Sequence, residues 1–136
     1  MPDCIFCRIV NRQIPSGNVF EDDFVFAFLD ISPANKGHTL VITKKHFETF
    51  TDIPDDVIER LAVSTKKIAC AVIESCNADG FNLLMNNKKV SGQIVPHAHF
   101  HIIPRFENDG HRINWEHKKY SDGEMASFQE KIKGFL

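Results

Sequence analysis

Two hydrophobic periods divide the chain. Short runs rich in Val, Ile and Phe, with period-two character, predict strands at Val19-Phe20-Glu21, Phe24 to Leu29, His38 to Thr43 and Phe81 to Asn86. A final core strand is expected from Val95 to Ile103, stopped by Pro104. Asp22-Asp23 reads as a hairpin connection, and Asp30 to Gly37 and Asn87 to Gly92 read as polar loops. A 3.6-residue period runs through Val57, Ile58, Leu61, Ile68, Ala69, Val72 and Ile73, predicting one long helix that ends near Cys76. Its start is announced by Thr51 as a capping residue, Pro54 in the first turn and the acids Asp55 and Asp56. A helical turn is expected from Cys4 to Ile9, and a short helix from Asp122 to Phe135. The order strands, helix, strands implies an α+β fold with an antiparallel sheet.

Composition narrows this picture. A length of 136 residues with a hydrophobic fraction of 43% fits one domain, 1–136, with a core of 1–106 and a C-terminal extension of 107–136. Sixteen basic residues against 18 acidic ones give a net charge of −2, which argues against an extended nucleic-acid partner. A small phosphorylated ligand needs no such excess, because backbone N–H groups and a few side chains can hold it. No run reaches the roughly 18 apolar residues of a membrane span. Met1-Pro2-Asp3-Cys4 shows no secretory pattern, so the four cysteines are expected in a reducing, cytoplasmic setting.

The chemistry concentrates in His97-Ala98-His99-Phe100-His101. On a strand these three histidines point to one face, and Ala98, Phe100 and Ile102 to the apolar other. A solvated face and a metal site are the competing readings. Same-face neighbours lie about 7 Å apart along a strand, which disfavours a single ion held by all three. Cys4-x-x-Cys7 offers two soft ligands at a zinc-site spacing, but two ligands do not close a tetrahedron, and free or redox thiols are the alternative. Cys70 and Cys76, in the long helix, read as buried small hydrophobes. His38 reads as structural, and His111 and His117 sit in the tail with Trp115.

The run Gly92-Gln93-Ile94-Val95-Pro96-His97-Ala98-His99-Phe100-His101-Ile102-Ile103 resembles the signature of the histidine triad (HIT) proteins. Similarity extends from Cys4-Ile5-Phe6-Cys7 through Phe28-Leu29-Asp30-Ile31-Ser32 and Gly37 to Ile42, up to Pro104-Arg105. It is closest to the histidine-triad nucleotide-binding branch in its zinc-carrying microbial form. The resemblance implies a HIT-like fold and hydrolysis or transfer at the α-phosphate of purine nucleotide conjugates such as nucleoside phosphoramidates. It assigns the nucleophile to His99, which would form a covalent nucleotidyl-histidine, and a phosphate donor to His101. It assigns further phosphate contacts to Asn86, Gly92, Gln93, Ile94 and Val95, ribose binding to Asp30, and an apolar base slot to Ile5, Phe6, Ile9, Phe28 and Ile31, although by themselves Asp30 reads as a turn former and the five apolar residues as core. It implies a structural zinc on Cys4, Cys7, His46 and His97, and a homodimer in which the C-terminal region reaches the partner's site, with simple packing as the alternative for Trp115. Diadenosine polyphosphate hydrolysis or phosphorolysis, and a non-catalytic nucleotide-binding scaffold, are the alternatives; Asn86, where the former branch typically has Gln, favours the phosphoramidate reading.

One position departs from the pattern. Many members carry Ser or Thr after the Gly-Gln pair, whereas this chain has Ile94, which keeps a backbone N–H but offers no hydroxyl. Ile94→Ser should therefore raise turnover or change leaving-group preference. A panel of phosphoramidates tests this, and equal rates and equal selectivity in both proteins would remove the idea.

Overall fold

A computed structural model describes residues 3–136; Met1 and Pro2 of the leader reading lie outside it. Its strands are β1 (Asn18–Glu21), β2 (Val25–Leu29), β3 (Thr39–Thr43), β4 (Gly80–Leu84) and β5 (His99–Arg105). The helices are α1 (Ile5–Val10), α2 (Asp55–Cys76) and α3 (Glu124–Lys133), with 3₁₀ turns at Phe50–Asp52 and Lys89–Ser91. The five strands form one antiparallel sheet in the order β1-β2-β3-β5-β4. The mixed architecture with an antiparallel sheet is the one expected from the sequence.

Strand register decides what each face carries. Phe26 pairs with Ile42 and Phe28 with Leu40; Ile42 pairs with His99 and Leu40 with His101. Residues directly opposite in an antiparallel pair share a face, so the two histidines stand on the face of Phe26, Phe28, Leu40 and Ile42. Phe6 and Ile9 of α1 close over that cluster. On the opposite face Val25, Ala27, Val41, Ala98 and Ile102 meet Leu61, Ile68, Ala69 and Val72 of α2. Each fully buried aliphatic or aromatic side chain here contributes about 1.5–3 kcal/mol of transfer free energy. Both faces of β2 and β3 are covered, which explains their unbroken apolar runs rather than a clean alternation.

Several boundaries differ from expectation, β4 among them, which ends at Leu84 rather than Asn86; three of the differences have a plain local reason. The capping residue is Thr49, not Thr51: its backbone N–H and its hydroxyl both reach the Asp52 carboxylate, closing the 3₁₀ turn. Pro54 then holds Ile53 extended (φ −77°, ψ 126°), so the turn and α2 are separate, and α2 begins without a side-chain cap. Strand β5 starts at His99 rather than Val95, because His97 N–H turns back to the Val95 carbonyl at 2.8 Å. It also runs through Pro104 to Arg105. The Pro104 carbonyl accepts from Asn35 Nδ2 at 2.9 Å, on the side away from β4. N and C=O of a strand residue point the same way, so the absent N–H faces a side where β3 has already ended, and no ladder bond is lost.

The long helix ends where Asn77 adopts the left-handed conformation (φ 51°) and Ala78 N–H returns to the Ile73 carbonyl. Near it, Gly37 (φ +98°) has no room for a Cβ, which would collide with Cys76 Sγ. Cys76 is half-buried, whereas Cys70 is exposed, contrary to the buried role expected for it. The hairpin at Asp22 is built by its carboxylate, which accepts from Phe24 and Val25 N–H at 2.8 and 2.7 Å. Helix α3 is shorter at both ends than the 122–135 expectation and buries none of its residues. Among the described residues, no helix is long and apolar enough to cross a membrane.

Candidate functional site

Hydrogen-bond partners fix which nitrogen of each histidine carries its proton. His99 Nδ1 lies 2.6 Å from the His97 carbonyl. A carbonyl only accepts, so Nδ1 donates, and the Nε2 of neutral His99 is a bare lone pair. His38 works in the opposite sense. Its Nδ1 accepts the Ala34 N–H at 3.1 Å, so its proton sits on Nε2 and is donated to His101 Nδ1 at 2.9 Å. Neutral His101 therefore carries its proton on Nε2. The two rings, 4.8 Å apart between centroids, present one lone pair and one N–H donor. Burial pushes the pKa of His99 and His38 below the ordinary value and that of His101 down to about 4, which keeps the set neutral near pH 7.

His38 thus stands directly behind the triad and is more than a structural strand opener. Its signal was present in the sequence, since His38, Leu40 and Ile42 share a face by period two. Linking that face to His101 required the β3–β5 register. Asp30, at the end of β2, divides its carboxylate: Oδ1 accepts Ser32 N–H at 2.8 Å in a turn, while Oδ2 lies 3.8 Å from His38 Nε2. Asp30, His38 and His101 are close enough to consider as metal ligands. Their ring nitrogens are already bonded to one another and to Ala34, so a hydrogen-bond chain accounts for the cluster.

The apolar residues assigned to a base slot separate into two groups. Phe6, Ile9 and Phe28 are buried core, with Phe6 edge-on to His99 at 5.1 Å and to Phe28 at 5.4 Å. Ile5 is exposed, and Ile31 is 96% exposed. Gln93 is buried and ties two loops: its Nε2 donates to the Glu48 carbonyl and its Oε1 accepts Lys88 N–H, both at 2.7 Å. One amide hydrogen is left for any ligand. Gly92 takes φ +100° against the Asn86 carboxamide. Ile94 stands 92% exposed, and Val95 packs against the α1 cluster.

The third triad histidine departs from strand alternation. His97 precedes β5, is fully buried, and donates from Nε2 to the Thr43 carbonyl at 2.7 Å. Its Nδ1 lone pair faces Cys4 Sγ at 3.4 Å and Cys7 Sγ at 3.6 Å, and His46 Nδ1 lies 3.4 Å from Cys7 Sγ. All four ligand atoms lie within 4.8 Å of one another. A tetrahedral zinc with bonds of about 2.3 Å to sulfur and 2.0–2.1 Å to nitrogen implies N···S edges of about 3.5 Å. The donor set and its spacing fit such an ion. Burial, and Cys4 beside it, raise the Cys7 pKa and favour the neutral thiol, a shift that a bound cation would oppose by stabilising the thiolates.

Comparison with known proteins extends the match beyond the triad. The HIT domain profile matches residues 11–108, which contain His46, His97, His99 and His101 but neither Cys4 nor Cys7. An uncharacterized HIT-like protein of Methanocaldococcus jannaschii is 47% identical over 96% of this chain and 99% of its own length. An adenosine 5'-monophosphoramidase of Saccharomyces cerevisiae is 41% identical over 82% of this chain and 69% of its own. The crystal structure of a HIT family member from Bacillus subtilis superposes with a TM-score of 0.93 at 39% identity, covering 98% of this chain and 97% of that one. A zinc-bound histidine triad family protein from Mycobacterium smegmatis superposes at 0.76 with 30% identity, covering 99% of each chain. With its two strand-borne histidines differently protonated and its third turned toward a pair of thiols, the chain belongs to the HIT family of histidine triad proteins.

Proposed function

We propose that the protein is a nucleotide hydrolase or transferase acting at the α-phosphate of purine nucleotide conjugates, nucleoside phosphoramidates foremost. The observation that carries this reading is the split of protonation across the face: a bare Nε2 on His99 beside an Nε2–H on His101. A neutral imidazole lone pair is a competent nucleophile near pH 7. His99 Nε2 attacks the α-phosphorus, a P–N bond forms, and the bond to the leaving amine breaks, the amine taking up a proton from solvent as it departs. His101 donates to a phosphoryl oxygen as charge develops there. Water then attacks phosphorus and gives a proton back to solvent, the bond to His99 breaks, and the nucleoside monophosphate leaves with free imidazole restored, so one water is consumed overall. Asn86, the Gly92–Val95 backbone and the remaining Gln93 amide hydrogen line the phosphate. Asp30 Oδ2 receives the ribose hydroxyls, and the base lies over Ile5 and Ile31 with Phe6, Ile9 and Phe28 beneath. The yeast relative's name, adenosine 5'-monophosphoramidase, supports the same substrate class.

Cys4, Cys7, His46 and His97 would hold a structural zinc, supported by their spacing and by the zinc-bound mycobacterial neighbour. That ion would staple α1 to the segment leading into β5, with no part in the reaction. A homodimer is supported by β4, an edge strand that exposes Phe81 and Leu83, and by a tail that leaves Trp115, Tyr120 and Phe128 exposed in the single chain. Four free cysteines suit the cytoplasm.

His99→Ala should lower hydrolysis of adenosine phosphoramidate by at least about a thousandfold while leaving nucleotide affinity within a few-fold; a residual rate near that of the wild type would exclude His99 as nucleophile. The same assay across pH carries a sign. Because burial holds His99 below its ordinary value of 6.5, turnover should stay level as pH falls through 6.5 and decline only at lower pH, and a decline centred at or above 6.5 would contradict the neutral-nucleophile account. Elemental analysis after metal-replete expression should find one zinc per chain, lost in Cys4→Ser/Cys7→Ser together with a lower melting temperature. Zinc-free, equally stable wild-type protein would remove the metal from this reading.

A further inference from the structure

The loop from Asp30 to His38 carries two members of the site, yet it has no regular secondary structure, and residues 31–34 are exposed. Its restraints come from beyond the triad. His111 Nε2 donates to the Ala34 carbonyl at 2.7 Å. Asn35 Nδ2 reaches Asp109 Oδ2 and the Pro104 carbonyl, both at 2.9 Å, while the Asn35 carbonyl accepts His38 N–H at 3.0 Å. Ala34 is thereby held on both sides: its carbonyl ends on His111 and its N–H on His38 Nδ1.

Asp109 is the anchor. Its carboxylate takes a two-point contact from Arg105, at 2.8 Å from Nε and 3.0 Å from Nη2, and accepts the backbone N–H of Phe106 and of His111 at 3.1 and 2.9 Å. Arg105 reaches on to Asn82 of β4 and to the His111 carbonyl. Arg105 first, and the backbone donors after it, hold the Asp109 carboxyl far below the usual carboxylate range, so it stays charged throughout the working pH. The turn around it places Asn108 and Gly110 in the left-handed region (φ 62° and 81°), a conformation that persists in a non-glycine residue when its surroundings impose it.

We propose that His111, seated by Asp109, is a positioning residue that sets the protonation pattern of the triad from outside it. This rests on the reading of His101 as a phosphate donor. The chain of bonds is directional. His111 fixes the Ala34 backbone, the Ala34 N–H forces the His38 proton onto Nε2, and that proton forces the His101 proton onto its own Nε2. Without His111 the Ala34 segment can turn, and His38 gains the alternative Nδ1–H form. His38 Nε2 then accepts instead of donating, so His101 protonates Nδ1 and presents a bare nitrogen. The site would hold two lone pairs and no donor, and a phosphoryl oxygen would meet repulsion where it had a hydrogen bond.

Two variants of the full chain test this, His111→Ala and His111→Gln, the latter keeping a side-chain N–H near the position of Nε2. The direct readout is the two-bond ¹H–¹⁵N spectrum of histidine-labelled protein, which distinguishes Nδ1–H from Nε2–H without reference to activity. The wild type should show the Nε2–H form at His38 and His101, His111→Ala a mixture at both, and His111→Gln the wild-type pattern. Turnover of adenosine phosphoramidate should fall about three- to tenfold in kcat for His111→Ala with KM within twofold, and recover in His111→Gln; the loss of a whole oxyanion donor, about 10²–10³, sets the ceiling. An unchanged spectrum in His111→Ala, or a wild type without the Nε2–H pattern, overturns the proposal. So does a kcat loss that follows melting temperature and is not rescued by Gln. Should the protein hydrolyse no phosphoramidate, the spectra alone decide the positioning role, and only the proposed reaction is lost.

Discussion

The register between β3 and β5 is the constraint on which the rest depends. Setting Ile42 opposite His99 and Leu40 opposite His101 places both imidazoles on the α1 face. It also brings His38, two residues ahead of Leu40, within reach of the His101 ring. A slip of one residue would turn His99 and His101 toward α2 and bring Phe100 and Ile102 to the α1 face. The burial of Ile102, Val41 and Ala98 against α2 opposes that slip, so the apolar core and the polar site are specified by the same pairing.

Within that frame the three histidines owe their different uses to three different partners. His99 and His97 each donate to a backbone carbonyl, but from opposite nitrogens: His99 from Nδ1, leaving Nε2 outward, and His97 from Nε2, leaving Nδ1 toward the sulfurs. His101 accepts from His38 and is left a donor. The acceptor for His99 is the carbonyl of His97 itself. One residue therefore faces the Cys4–Cys7 cluster with its ring and holds the neighbouring imidazole with its backbone.

Much of this was legible in the residues. The alternation of His99, Phe100, His101 and Ile102 gave the two faces of β5, and the period of α2 gave its buried stripe. The pairing of His46 and His97 with Cys4-x-x-Cys7 came from resemblance, since no spacing rule joins residues so far apart in sequence. What stayed hidden depended on tertiary partners or on local backbone detail. His38 gains its role only once β3 lies beside β5. The Val95-Pro96-His97 turn, not alternation, aims His97. Thr49 outcompetes Thr51 as a cap because Asp52 sits where it can answer both of its donors, and Pro104 fits inside β5 because β3 has ended beside it. Apolar identity in Ile5, Ile9, Phe28 and Ile31 did not show which of them are buried; packing under α1 covers Ile9 and Phe28 and leaves Ile5 and Ile31 exposed.

The position of β5 also governs when the site can come into being. It is the last strand in the chain but lies between β3 and β4 in the sheet. Until residues 99–105 arrive, β1-β2-β3 and β4 share no hydrogen-bonded edge, and the open side of β3 is a strand edge of the kind that invites pairing with other chains. During synthesis the α2 face can collapse early through local contacts, whereas the sheet closes only on insertion of its central strand, a pairing between distant parts of the sequence that is slow to form. Sheet completion and assembly of the histidine face are therefore one event: the strand that makes the fold continuous is the strand that bears His99 and His101.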